Sequence, residues 1–147
     1  MGLMLSSMHP NEAGLSGDLA RVLLKFGARS DSDDFMCAIE YGLTDAVDAF
    51  VEAGAAIDNL FIAGGLGRID ILEKLLSQGI DINTRYRGYG TALHAAAGMN
   101  QTNAVVFLLE RGGDMTLHNT WGALPEDSAW HCGHRDLATF IHNQRLK

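Results

Sequence analysis

The segment AWHCGHRDL, Ala129 to Leu137, sets His131 and His134 on either side of Cys132. Imidazole and thiolate are zinc ligands, and a cysteine beside a histidine is also the starting point for a nucleophile and its base. A zinc shell needs several donors converging as a tetrahedron, and the chain offers only Cys37 as a further cysteine, with no second Cys/His cluster to complete one. No metal and no cofactor are therefore expected. A second concentration, SDSDD at Ser30 to Asp34, gathers carboxylates that could do acid/base work or grip a basic partner. Lying ahead of FMCAIE, they also suit the exposed amides of a helix N-terminus. A third set lies in TRYRGYG and LHNTWG: Arg85, Tyr86, Arg87, Tyr89, His118 and Trp121 mix arginine with aromatics, as binding hot spots do. No G-x-S-x-G, no H-E-x-x-H and no glycine-rich phosphate loop accompanies them.

The elements that must position these groups recur along the chain. The runs LARVLL, AVDAFV, ILEKLL and VVFLLE carry apolar residues three and four apart, and each ends in a related stop, KFGA, EAGA, SQGI or ERGG. Before the last three runs, and again near the C-terminus, a turn intervenes: IEYGLTD, GGLGRID, GMNQTN and WHCGHRD. Gly42, Gly67, Asn100 and Gly133 share one place in these turns, and glycine and asparagine are the residues that tolerate positive φ. Thr44, Asp70 and Asp136 then open the second helix of each pair. The repeating unit is helix, turn, helix, stop. No such pair can bury its apolar face alone, so neighbouring pairs must cover one another. Ala95, Ala96 and Ala97 let first helices approach closely, while Val105, Leu108 and Leu109 fill the layer between pairs. Trp130, on the last first helix, is expected to lie over the final layer as a lid.

The chain has 147 residues, 47% of them hydrophobic, which suits one domain with a sizeable core. A net charge of −7 opposes binding to phosphate backbones, so nucleic acid is not expected as a partner. No apolar run is long enough to span a membrane. Two well-separated cysteines read as reduced thiols, pointing to the cytoplasm or nucleus.

TALHAAA at Thr91 to Ala97, followed by VVFLLERGGD, resembles the ankyrin repeat, whose signature is T-P-L-H-x-A-A with a period of 33. Asp58, Thr91 and Leu124 stand at the equivalent threonine position, and the match extends to DIN at Asp81 to Asn83. The resemblance implies an all-α, ankyrin-like solenoid of about five helix-turn-helix units with two β-turn fingers, TRYRGYG and LHNTWG. It forms one domain, 1–147, with repeats near 3–31, 32–57, 58–90, 91–123 and 124–147. The first repeat is disturbed by Pro10, and AGAAIDNLFIAGG joins the second to the third without a finger. By the same resemblance His94 and His134 are structural, their imidazoles bonding neighbouring turn backbone.

The function implied is non-catalytic protein binding on the concave and finger face, through Arg85, Tyr86, Arg87, Tyr89, His118, Trp121 and Met99. Glu40 and Tyr41 extend an acidic groove floor toward the N-terminus. The competing expectation is a small-molecule pocket in which Asp33, Asp34, Asp58, Tyr86 and His131 perform acid/base chemistry such as cyclisation, epoxide opening or hydrolysis.

Overall fold

The computed structural model describes residues 32–86 and 88–147. The expected first repeat, with Pro10, and Arg87 lie outside the described residues. Among the described residues eight helices run in order: α1 Ser32–Glu40, α2 Thr44–Glu52, α3 Leu60–Gly65, α4 Ile69–Ser77, α5 Ala92–Gly98, α6 Thr102–Glu110, α7 Pro125–His131 and α8 Arg135–Arg145. Among the described residues there is no β-strand beyond one isolated bridge, Tyr86 with Gly90. The chain divides into two compact units between Ala56 and Ile57.

In the first unit α1 and α2 form a hairpin closed at Gly42, whose φ of 62° gives the left-handed turn that glycine allows without strain. Asp33 and Asp34 fall in the first turn of α1, where carboxylates complement the helix dipole. Phe35 and Phe50 stack across the hairpin, centroids 5.2 Å apart. Cys37 is buried between them in sequence, and burial, reinforced by Asp34 and Glu40, pushes its thiol up to about 11.

The second unit holds three hairpins, α3/α4, α5/α6 and α7/α8, turning at Gly67, Asn100 and Gly133. Asn100 reaches positive φ (57°), the one non-glycine to do so among the described residues. First helices stand side by side, α3 on α5 and α5 on α7, in a single row. Small residues make the approach close. A Cβ added to Gly64 would lie 2.7 Å from the Ala92 carbonyl oxygen, and Ala92, Ala96, Ala97 and Ala129 are fully buried. Leu72, Val105, Leu108 and Ile141 fill the layer beneath, with Leu109 half-buried at its edge.

The third repeat starts one residue later than the threonine alignment implied. The N-cap of α3 is Asn59, not Asp58: its Oδ1 accepts from the Ile62 amide at 2.9 Å, while Asp58 is exposed outside the helix. With Asn59 as the cap, Leu60, Phe61 and Ile62 open the helix and are all buried.

Candidate interaction surface

The first finger is closed by the Tyr86 amide donating to the Gly90 carbonyl (2.9 Å) and the Tyr89 amide donating to the Tyr86 carbonyl (2.8 Å). In the second, the Asn119 amide donates to the Ala123 carbonyl at 2.9 Å, and the buried Asn119 side chain accepts from the amides of Trp121 (3.0 Å) and Ala123 (2.9 Å). A short polar side chain thus replaces the backbone ladder that such a tight loop cannot form. The fingers are coupled directly, the Thr120 amide donating to the Gly88 carbonyl at 2.9 Å. Gly88 is required there, because its φ is 86° and a Cβ would run into the Thr120 side chain.

Two further bonds set the fingers' bases. Asn83, the last residue of DIN, accepts from the Asp114 amide at 2.8 Å and donates to the Gly112 carbonyl at 3.4 Å, clamping consecutive loops. His94 Nε2 lies 3.1 Å from the Ala123 carbonyl, which can only accept, so Nε2 carries the proton. Nδ1 then accepts from the Thr91 amide at 3.1 Å. Burial drives the His94 pKa down to about 4, against the smaller opposing pull of the Ala123 carbonyl, so the ring is neutral near pH 7.

Aromatic rings run from helix to fingertip: Phe61 meets Tyr86 (6.3 Å between centroids) and Tyr89 (5.9 Å), and Tyr89 meets Trp121 (6.2 Å). Phe61 is fully buried, Tyr89 half-buried and Trp121 60% exposed, so the line passes from core to solvent. Tyr86 belongs to its inner end. The Leu60 amide donates to its hydroxyl at 3.2 Å, and burial raises its phenol pKa. Arg85 and His118 are exposed at matching places on the two fingers. Met99, half-buried, sits at the C-cap of α5, a helix length away from the finger that precedes Thr91.

Of the residues expected for acid/base chemistry, Asp33 and Asp34 belong to the first unit. Asp58 is close enough to Tyr86 to act on its charge, whereas His131 is exposed at the end of α7, in the last hairpin. HCGH has become a helix-turn-helix junction: Cys132 caps α7, Gly133 turns at φ 86°, and the His134 amide donates to the Ala129 carbonyl at 2.9 Å. His134 makes that bond with its backbone and caps α8 with no side-chain bond, unlike the imidazole contact expected of it. Among the described residues no three His, Cys, Asp or Glu side chains converge as a metal shell.

The outer end of the row carries a group that sequence reasoning passed over. Glu126 accepts from Arg145 Nε (3.0 Å) and Nη2 (2.8 Å) and lies 2.9 Å from His142 Nδ1. The Arg145 guanidinium holds its carboxyl below the usual range. Beside it Trp130, 56% exposed, lies under the Arg135 guanidinium at 5.3 Å, so it covers the last layer only in part.

A row of helical hairpins with fingers at one end defines a helical-repeat protein built to present a surface. The chain belongs to the ankyrin repeat family: the model for three ankyrin repeats matches residues 60–145. Cyclin-dependent kinase 4 inhibitor B of Bos taurus is 31% identical over 116 residues, covering 74% of this chain and 88% of that protein. Potassium channel KOR2 of Oryza sativa is 35% identical over 79 residues, which is 54% of this chain but 11% of the channel. The chain also matches just 5% of the length of alpha-latrocrustotoxin-Lt1a of Latrodectus tredecimguttatus. The crystal structure of the human ASB11 ankyrin repeat domain aligns with a TM-score of 0.52 at 24% identity, over 58% of this chain and 39% of that one. Ankyrin repeats are a general protein-interaction module, and no described helix is long and apolar enough to cross a membrane.

Proposed function

We propose that this chain is a non-catalytic protein-binding module whose contact face is the pair of coupled fingers, with Trp121, Tyr89, Arg85 and His118 as anchors. The observation that carries this reading is Trp121: a large ring, 60% exposed, held at a fingertip by the Asn119 side chain and by Tyr89. Folding does not need a tryptophan in solvent, while a rigid exposed aromatic is what a hot spot requires. Tyr86 supports the face from beneath, through α3. Cys37 and Cys132 form no disulfide, which favours the cytoplasm or nucleus as the place of work.

The test is crosslinking of the chain in its native cells, followed by comparison of Trp121→Ala with Trp130→Ala, an exposed tryptophan away from the fingers. Loss of the crosslinked partner in the first variant alone is the expected result. A partner retained by Trp121→Ala and Tyr89→Ala, both still folded, refutes the face.

A further inference from the structure

We infer that the fingers take an acidic linear segment of a protein, a carboxylate side chain lying against Arg85 and His118 and an apolar one against Tyr89 and Trp121. The inference rests on the finger face proposed above and names its partner's chemistry.

The other described arginines are each engaged. Arg68 pairs with Asp70 at 2.8 Å, Arg111 with Glu73 at 3.3 Å, and Arg145 with Glu126 at 2.8 Å. Arg135 lies over the Trp130 ring. Among the described arginines, Arg85 stands apart: it is exposed and has neither a carboxylate nor a ring beside it. On a chain of net charge −7, a carboxylate is the partner an arginine most readily finds, so an unpaired one on a projecting loop is a vacant binding contact. His118 occupies the matching place on the next finger and is likewise exposed, without a hydrogen-bond partner. His94 ties the finger bases together, its Nε2 3.1 Å from the Ala123 carbonyl, so the two groups stand on neighbouring fingers that one segment can cross. The Thr120 to Gly88 bond holds the fingers at fixed spacing, and the segment meets a preformed surface.

The occupant is therefore anionic and extended, with at least one apolar residue near its carboxylate. Arg supplies planar, charge-assisted hydrogen bonds to a carboxylate, and Tyr89 with Trp121 supplies a flat apolar platform. A nucleic acid would also satisfy Arg85, but the remaining negative charge of the chain repels a polyanion while leaving a short acidic segment free to dock.

The experiment selects random linear peptides displayed on phage against the full chain and measures the affinity of synthetic versions. Peptides enriched in Asp or Glu next to an aromatic or aliphatic residue are expected, binding more weakly as ionic strength rises. Arg85→Glu should weaken them about tenfold or more, the scale of one charge-assisted contact, with Arg85→Lys keeping part of the binding and Trp121→Ala removing the apolar preference. Both Arg85 and His118 are exposed, so unchanged melting curves show that the variants fold. Enrichment of neutral or basic peptides, or acidic peptides indifferent to Arg85→Glu, overturns the acidic preference. If those peptides still depend on Trp121, the finger face survives and only the acidic preference falls; if no peptide is enriched, the linear segment is refuted, and the finger face stands or falls by the crosslinking of Trp121→Ala.

Discussion

The hairpins α5/α6 and α7/α8 share a backbone plan, and three of the positions at which their first helices differ change what those helices touch. Counted from the N-caps Thr91 and Leu124, Leu93 corresponds to Glu126, His94 to Asp127 and Ala97 to Trp130. In the inner hairpin these residues are buried, and each looks to a neighbour: His94 reaches the next finger through the Ala123 carbonyl. In the outer one the hairpin closes on itself. Asp127 accepts from the Leu124 amide at 2.8 Å, Glu126 turns to Arg145 on its own partner helix, and Trp130 takes Arg135. The difference teaches that stacking in this chain is decided by a few positions on the first helix, and that the hairpin itself is indifferent to them.

Exchanging those positions breaks the comparison most sharply. Leu93→Glu places a carboxylate in a layer with no Arg145 counterpart, and an unpaired buried charge should cost about 3–5 kcal/mol, read as a collapse of the denaturation midpoint. Glu126→Leu in the outer hairpin should cost less, because the Arg145 guanidinium it leaves unpaired is partly exposed and can return to water.

The next effect is acid sensitivity. The native His94 pKa, about 4, lies below its ordinary value of 6.5, so between these limits the unfolded chain binds a proton that the native chain refuses. Stability is full above pH 6.5 and is lost as pH falls, at about 1.4 kcal/mol per unit and on the order of 3 kcal/mol in all. Urea unfolding across that range should show the slope in the native chain and lose it in His94→Gln.

The smallest effect is steric. Ala97→Trp carries the outer residue into the inner layer and should cost about 1–3 kcal/mol by overpacking. Trp130→Ala, at an exposed site, should shift the midpoint by no more than about 1 kcal/mol. Equal costs would mean that the outer layer is as closed as the inner one.

Much of this architecture was legible in order along the chain. Helix periods, the stops at Gly54, Gly79 and Gly112, and the turns at Gly42, Gly67, Asn100 and Gly133 are local demands of the backbone, and all of these residues do adopt positive φ. TALH likewise announced the His94 bonds, because the cap and its acceptor recur at fixed spacing. The start of α3 was misplaced by one residue, since Asp58 and Asn59 are both good caps and only burial of the following apolar residues chooses between them.

Residue order by itself determined the repeating hairpin, the residues on the two fingers and the acidic balance of the chain, since these follow from local conformational preference and composition. Tertiary structure decided which finger residues are free. It tied Tyr86 to Leu60, joined Asn83 to Asp114, 31 residues further on, and gave every described arginine but Arg85 a carboxylate or a ring. Those outcomes depend on distances between segments remote in the chain, and a side chain's availability is known only once every neighbour that could occupy it has been placed.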